Sequence, residues 1–272
     1  MHESYWGMKK SPFGAEGRIR HFFASPTHDE GLARLGFLVN SGHALGILAG
    51  YEGTGRSTLL EVFARDLRRS GCEVCLTNLL GLDEHALLWT LAAHLGTNPR
   101  AADDAFRLWS RIDDRLKQNV IEGRRTVLLL DDADEASHDV LIQVLRLLKS
   151  YGKAPTIIMA VESSRMTRLG SDLLQLSQLR IRLEPWTASD VREYLQASLA
   201  RAGCNRSIFE DSAATRLQEL TDGIPRWVRQ LAELALLAAA GQQRETVDGQ
   251  IIEAVYQELS ASFAEEPVEA GY

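Results

Sequence analysis

The stretch Gly50-Tyr51-Glu52-Gly53-Thr54-Gly55-Arg56-Ser57-Thr58 decides how the rest of the chain is read. It follows the apolar run Ala44-Leu45-Gly46-Ile47-Leu48-Ala49, which has the composition of a buried strand, and precedes Leu59-Leu60-Glu61-Val62-Phe63-Ala64, which has helical spacing. Strand, glycine turn and helix in that order fit the phosphate-binding pattern G-x-x-x-x-G-K-[ST] at every fixed position but one, with Arg56 standing for the lysine. Backbone physics dominates such a loop. Glycines let successive N–H groups turn inward around an anion, and a helix opening at Ser57 aims its positive end at the same point. Ser57 would offer its hydroxyl to Mg²⁺. A glycine-rich turn between strand and helix is also an ordinary feature of αβ proteins, so this loop alone leaves both readings open.

Composition narrows the field. With 272 residues, 45% of them hydrophobic, the chain can build a substantial core. No apolar run approaches the ~18 residues that span a bilayer, and the start, Met1-His2-Glu3-Ser4-Tyr5-Trp6, lacks the basic-then-apolar pattern of a secretory signal. A cytoplasmic protein without a membrane segment is expected. Three cysteines make no disulfide framework, in keeping with a reducing compartment. Cys72-Glu73-Val74-Cys75 spells C-x-x-C, but on a strand residues three apart face opposite ways, and no second pair completes a zinc site. The net charge of −7 argues against generic binding to polyanions.

Along the chain, a helix is expected from Asp29 to Val39, ahead of the first strand. After the glycine loop a helix runs to Arg69 and stops at Ser70-Gly71. A strand follows at Glu73–Leu79, then helices at Glu84–His94 and Asp104–Val120, the second with Phe106, Trp109, Ile112 and Leu116 on one face. Thr126-Val127-Leu128-Leu129-Leu130 suits a strand buried on both faces and ends in Asp131-Asp132. A helix at Ser137–Ser150, a strand at Thr156–Val161, a helical stretch to Leu176 and a strand at Arg180–Leu183 complete an alternation. This predicts a doubly wound, parallel, five-stranded α/β sheet. Past Pro185-Trp186-Thr187 only helices are expected, at Thr187–Ala202, Ser212–Leu220, Pro225–Ala240 and Val247–Leu259, which make a small helical second domain. The expected divisions are an N-terminal arm and helix at 1–40, a sheet domain at 41–186, a helical lid at 187–259 and a frayed acidic tail at 260–272.

Asp131 and Asp132 form the second anchor, at the carboxyl end of a strand, where ligands of parallel sheets gather. An aspartate there can hold Mg²⁺, and the next carboxylate can orient a water for phosphoryl transfer. Alone, the pair also reads as a polar strand end. Together with a phosphate loop upstream, it makes P-loop nucleotide binding the better reading.

Five segments then carry a resemblance: Tyr5 to Phe13, Ser25 to His28, Gly50 to Thr58, Leu129-Leu130-Asp131-Asp132-Ala133, and Gly223-Ile224-Pro225-Arg226. In this order they resemble the AAA+ ATPase domain of general secretion pathway protein A and the related transposition-helper ATPases, over roughly residues 1–258. The resemblance implies ATP and Mg²⁺ as cofactors. Gly50, Gly53, Thr54, Gly55, Arg56, Ser57 and Thr58 would form the phosphate loop. Asp131 would hold magnesium together with Ser57, and Asp132 would activate water. Arg226 would be delivered onto the γ-phosphate by the helical lid, and Trp6 or Phe13 would lie near the adenine.

Departures from the family pattern bear on catalysis. Arg56 is a planar fork where an ammonium is usual. Asp132 is one methylene shorter than the usual glutamate, which draws its carboxylate back by ~1.5 Å, and misplacement by ~1 Å can cost about a hundredfold in rate. Glu162 falls where a neutral amide is usual, and Arg168 and Arg180 are the candidates for an arginine reaching a neighbouring subunit. The expected function is a slow Mg-ATPase coupling nucleotide state to lid motion and to the assembly of a protein partner or a homo-oligomer. A nucleotide-sensing scaffold without turnover is the alternative. A DNA-linked ATPase, suggested by Arg65, Arg68 and Arg69, is outweighed by the acidic total.

Overall fold

The computed structural model describes residues 2–14, 22–151 and 155–264. The chain divides into two compact units, Thr27–Glu184 and the combination of Met1–Pro26 with Pro185–Tyr272. A single helical turn, α1 (His2–Tyr5), opens the chain and belongs to the second of these.

The sheet unit runs α2 (Pro26–Asn40), β1 (Leu45–Gly50), α3 (Arg56–Arg69), β2 (Glu73–Asn78), α4 (Glu84–His94), α5 (Ala105–Ile121), β3 (Thr126–Asp131), α6 (His138–Tyr151), β4 (Thr156–Glu162), α7 (Gly170–Leu176) and β5 (Leu179–Leu183). Short 3₁₀ turns at Ala133–Glu135 and Ser163–Leu169 follow β3 and β4. The strands lie in the order β2-β3-β4-β1-β5, all parallel. β1, β3 and nearly all of β4 are buried on both faces, which explains why they read as unbroken apolar runs.

Alternate residues serve opposite layers. Leu45, Ile47, Leu128, Leu130, Ile157 and Met159 share a core with Leu87, Leu91, Trp109, Ile112 and Val144 of α4, α5 and α6. On the other face α2 approaches so closely that a Cβ on Gly46 would lie 2.4 Å from Leu38 Cδ1. Glycine near the start of β1 leaves room for the Leu38 side chain of the helix above it. Register brings Gly50 beside Glu162 and Asn78 beside Asp131, so the carboxyl ends of four strands form one edge.

The expected elements appear with ends shifted by one to three residues in most cases. The largest shift is in the last helix, which starts at Gly249 and runs on to Ala264; the remainder of the expected tail, 265–272, lies outside the described residues. One side chain departs from the expected core. Phe106 is 81% exposed, and the buried face of α5 is made instead by Leu108, Trp109, Ile112 and Leu116. Phe106 stands on the first turn, two residues before Leu108, where the buried stripe of the helix begins. Cys75 is buried, which pushes its thiol up to about 12, with Glu73 adding to the effect.

In the helical unit, α8 (Ala188–Arg201) starts with a reciprocal cap between Thr187 and Asp190. α9 (Asp211–Thr221), α10 (Pro225–Gly241) and α11 (Gly249–Ala264) follow, and Pro225 takes the first helical position of α10, where a missing N–H costs nothing. Gly223, at φ +66°, lets two backbone segments meet: Trp186 N–H donates to its carbonyl at 2.8 Å, and a Cβ there would fall 2.0 Å from Trp186 O.

The expected 1–40 arm does not hold together as one piece. Residues 27–40 join the sheet unit and the first 26 join the helical unit. Trp6 and Phe13 are buried in the helical core, at 3% and 1% exposure. Trp6 Nε1 donates to Leu236 O at 3.2 Å, the Phe13 ring packs on Tyr194 and Phe209, and Arg229 Nη1 donates to Phe13 O at 2.8 Å. Rings so enclosed offer no face to a base, and the expected adenine contact is corrected to a packing role. Among the described residues, no helix is long and apolar enough to cross a membrane.

Candidate functional site

β1 delivers the loop and α3 receives it. Gly53 and Gly55 sit at φ +84° and +96°, the left-handed region that side chains avoid. Gly55 is the residue before α3, so the first N–H groups of a 14-residue helix open onto the loop. A Cβ on Gly50 would lie 2.5 Å from Thr54 Oγ1. Thr54 is itself buried and ties the loop to its own start, its hydroxyl donating to Tyr51 O at 2.8 Å. Thr58 lies partly buried in the first turn of α3.

Asp131 is buried at the end of β3, accepts a hydrogen bond from Asp132 N–H at 3.1 Å, and has the Ser57 hydroxyl close by. Burial raises its carboxyl above the ordinary range. The neighbouring Asp132 charge raises it further, and the Ser57 hydroxyl, the backbone hydrogen bond and the Arg56 charge pull the other way. Asp132 takes a left-handed backbone, φ +48° and ψ +43°, which turns its carboxylate out of the strand direction. Asn78 Nδ2 donates to Asp132 Oδ2 at 2.7 Å, while Asn78 Oδ1 is held by Leu80 N–H at 2.8 Å.

Arg56 is engaged within the protein. Its Nη1 donates to Gly50 O at 3.0 Å, and Nη2 lies 3.9 Å from Asp132 Oδ1, with only 11% of the side chain exposed. The two anchors legible in the sequence, Gly50 to Thr58 and Asp131-Asp132, thus come together in space.

Other expected positions are settled differently. The Glu162 carboxylate caps the following 3₁₀ turn, accepting from Ser164 N–H and Ser164 Oγ, with Arg165 Nε at 3.8 Å. It is committed to that turn. Arg168 pairs with Glu135 at 3.2 Å and Arg180 Nη2 donates to Leu174 O at 2.6 Å, so both candidate fingers have partners in their own chain. Arg226 is the second residue of α10, exposed, in the helical unit.

Three contributors were missed. Asn78 lies 54 residues from its carboxylate partner. Arg182 on β5 reaches Tyr51 of the loop, Nη2 to the phenol oxygen at 3.3 Å and guanidinium carbon 5.6 Å from the ring centre. His28 of α2 contacts Thr54 O through Nε2 at 2.9 Å. Two of them carried a signal: the polar residue ending β2, since carboxyl ends of parallel strands gather ligands, and His28, which closes the segment Ser25 to His28.

A glycine loop between β1 and α3, facing acidic residues at the end of β3, defines a P-loop nucleotide-binding fold. Residues 39–169 match the family described as an AAA domain. General secretion pathway protein A of Aeromonas hydrophila is 30% identical over 267 residues, covering 94% of this chain and 48% of the relative, so the chain spans about half of that protein's length. Among solved structures, the Aeropyrum pernix Orc1 protein in complex with DNA has a TM-score of 0.69 at 15% identity, covering 96% of this chain and 73% of that one. Cdc6p from Pyrobaculum aerophilum has a TM-score of 0.68 at 17% identity, covering 94% and 74%. The Thermotoga maritima RuvB Holliday junction branch migration motor has 0.60 at 17%, covering 85% and 68%. At such identities the structures establish the fold alone. The chain has the P-loop fold of AAA+ proteins and resembles general secretion pathway protein A.

Proposed function

We propose that this protein binds Mg-ATP on the loop Gly50–Thr58 and turns it over slowly, using nucleotide state to govern the helical unit and the assembly of a protein partner or of further copies of itself. One observation carries the reading: the Ser57 hydroxyl lies beside the buried Asp131 carboxylate, next to Asp132 and Arg56.

That donor set fits magnesium. Hydroxyl and carboxylate oxygens are the hard ligands the ion prefers, and a carboxylate whose ionisation is opposed by burial and by a neighbouring negative charge is the kind a cation stabilises. The glycine loop fits a phosphate chain, because a Cβ at Gly50 or Gly55 would press on Thr54 or His28 and displace the backbone that would cradle it. Bound Mg-ATP would supply the phosphoryl group. Ser57 and Asp131 would hold the ion, the Gly53–Ser57 amides and Arg56 would cradle the phosphates, and Asp132, aimed by Asn78, would accept a proton from attacking water. Arg226 would sense the terminal phosphate from the helical unit.

Slow turnover follows from two residues. Arg56 must leave Gly50 O and Asp132 to reach a phosphate, and the Asp132 side chain is short by one methylene. The same engagement of Arg56 favours the second reading, a nucleotide-sensing scaffold without useful turnover. A DNA-linked role gains little from the basic residues of α3, because Arg65 and Arg69 share Asp66 and Arg68 turns to Val74 O at 3.4 Å.

Titration with ATP, with and without Mg²⁺, followed by phosphate release, is the test. Magnesium-dependent binding, with turnover above that of an Asp131→Asn, Asp132→Asn double variant, is expected. Equal turnover leaves the scaffold, and no binding at millimolar nucleotide ends both readings.

A further inference from the structure

We infer that His28 is a positioning residue for the phosphate loop, setting the orientation of the Thr54–Gly55 peptide so that the Gly55 N–H faces a bound phosphate. The inference rests on the nucleotide reading above for its ligand, and on geometry alone for the contact.

His28 is the third residue of α2 and is 3% exposed. Its Nε2 lies 2.9 Å from Thr54 O, and a carbonyl can only accept, so Nε2 carries the proton in this contact. In a trans peptide the C=O and the next N–H point in opposite directions. Holding Thr54 O toward α2 therefore turns the Gly55 N–H away from it, into the loop. Gly55 has φ +96°, and a Cβ on it would lie 2.9 Å from the same Nε2, so the imidazole closes the outer side of that peptide as well as bonding to it. With glycines at 53 and 55 the backbone has many alternatives open to it. The ring removes the outward ones.

The ring can act as a stop because α2 is itself fixed. Thr27 Oγ1 accepts from Glu184 N–H at 3.0 Å, just past β5. One turn on, Gly31 sits where a Cβ would be 3.2 Å from both Leu59 of α3 and Leu183 of β5. The first turn of α2 is thereby anchored to the exit of β5 and to the helix that the loop feeds. Sliding it would break contacts on both sides, so His28 presents a rigid donor to a permissive backbone.

Two variants of similar side-chain bulk separate bonding from filling. His28→Gln retains an N–H donor at nearly the reach of Nε2, and His28→Met has none. Amide hydrogen exchange of residues 50–58 in the nucleotide-free protein is expected to speed at least tenfold in His28→Met and to stay within threefold of wild type in His28→Gln. Affinity for Mg-ATP is expected to fall about tenfold in His28→Met and to be largely restored in His28→Gln. Equal exchange in the two variants would overturn the inference, because mere packing would treat them alike. Should His28→Met fail to fold, His28→Gln decides alone: tenfold faster loop exchange despite a retained donor would also overturn it. A wild-type protein that binds no nucleotide would refute the functional reading, whereas the exchange comparison still decides what His28 holds.

Discussion

Arg56→Lys should lower the stability of the nucleotide-free protein while raising nucleotide affinity and turnover. In the nucleotide-free protein the guanidinium donates to Gly50 O at 3.0 Å and lies 3.9 Å from Asp132 Oδ1. A charged donor on a buried carbonyl contributes ~1.5–3 kcal/mol. The Asp132 contact is long, and that carboxylate is about a third exposed, so it adds well under ~1 kcal/mol. An ammonium on a shorter stem has no fork with which to span both oxygens, and a net loss of ~1–2 kcal/mol follows. For a chain of this size that lowers Tm by roughly 2–8 °C. The bond that stabilises the empty loop must be broken when the guanidinium moves to a phosphate, so the lysine variant avoids this cost. It should bind Mg-ATP about 5- to 30-fold more tightly, as ~1–2 kcal/mol requires, and release phosphate faster. Thermal melts without nucleotide, calorimetric titration with a non-hydrolysable ATP analogue and a phosphate-release assay measure the three effects. An unchanged melting temperature together with equal or weaker binding would refute the picture of an arginine held by its own loop.

Asp131→Asn should stabilise the nucleotide-free protein at neutral pH. Burial raises the carboxyl, so the folded state holds its proton more tightly than the unfolded chain does; the stabilisation is present below the ordinary carboxylate value and is lost as pH rises through the raised one. The gain in Tm over wild type should vanish below about pH 4, and magnesium dependence of nucleotide binding should disappear. Asn78→Ala removes the 2.7 Å donor that aims Asp132, and turnover should fall about 10- to 100-fold with nucleotide affinity changed less than about threefold. Gly223→Ala forces a Cβ against Trp186 O at φ +66° and disturbs the Trp186 N–H bond, costing ~2–3 kcal/mol in a urea melt of the helical unit.

The sheet was legible because its physics is local. Val127 to Leu130 is apolar without alternation, which only a strand covered on both sides tolerates, and the loop needs left-handed backbone at Gly53 and Gly55. The acidic pair was legible for the same reason, as a polar stop after an apolar run. The partners that aim these groups were not. Asn78 meets Asp132, His28 meets Thr54 and Arg182 meets Tyr51 only after strands have been ordered, and strand order is written in no single stretch. Trp6 and Phe13 show the converse: aromatic residues beside turns mark an anchor, but their partners Leu236, Tyr194 and Phe209 lie some two hundred residues on.

That division of the helical unit has a consequence during synthesis. The sheet unit is contiguous and can fold as soon as residue 184 has emerged, whereas Trp6, Met8 and Phe13 complete a core whose other half, up to Ile252 and Val255, is made about 240 residues later. At roughly 5–20 residues per second, Trp6 and Phe13 stay uncovered for about 10–50 s on the ribosome. During that interval their apolar surface is unpartnered, and a nascent chain truncated soon after β5 would leave them without the core they complete.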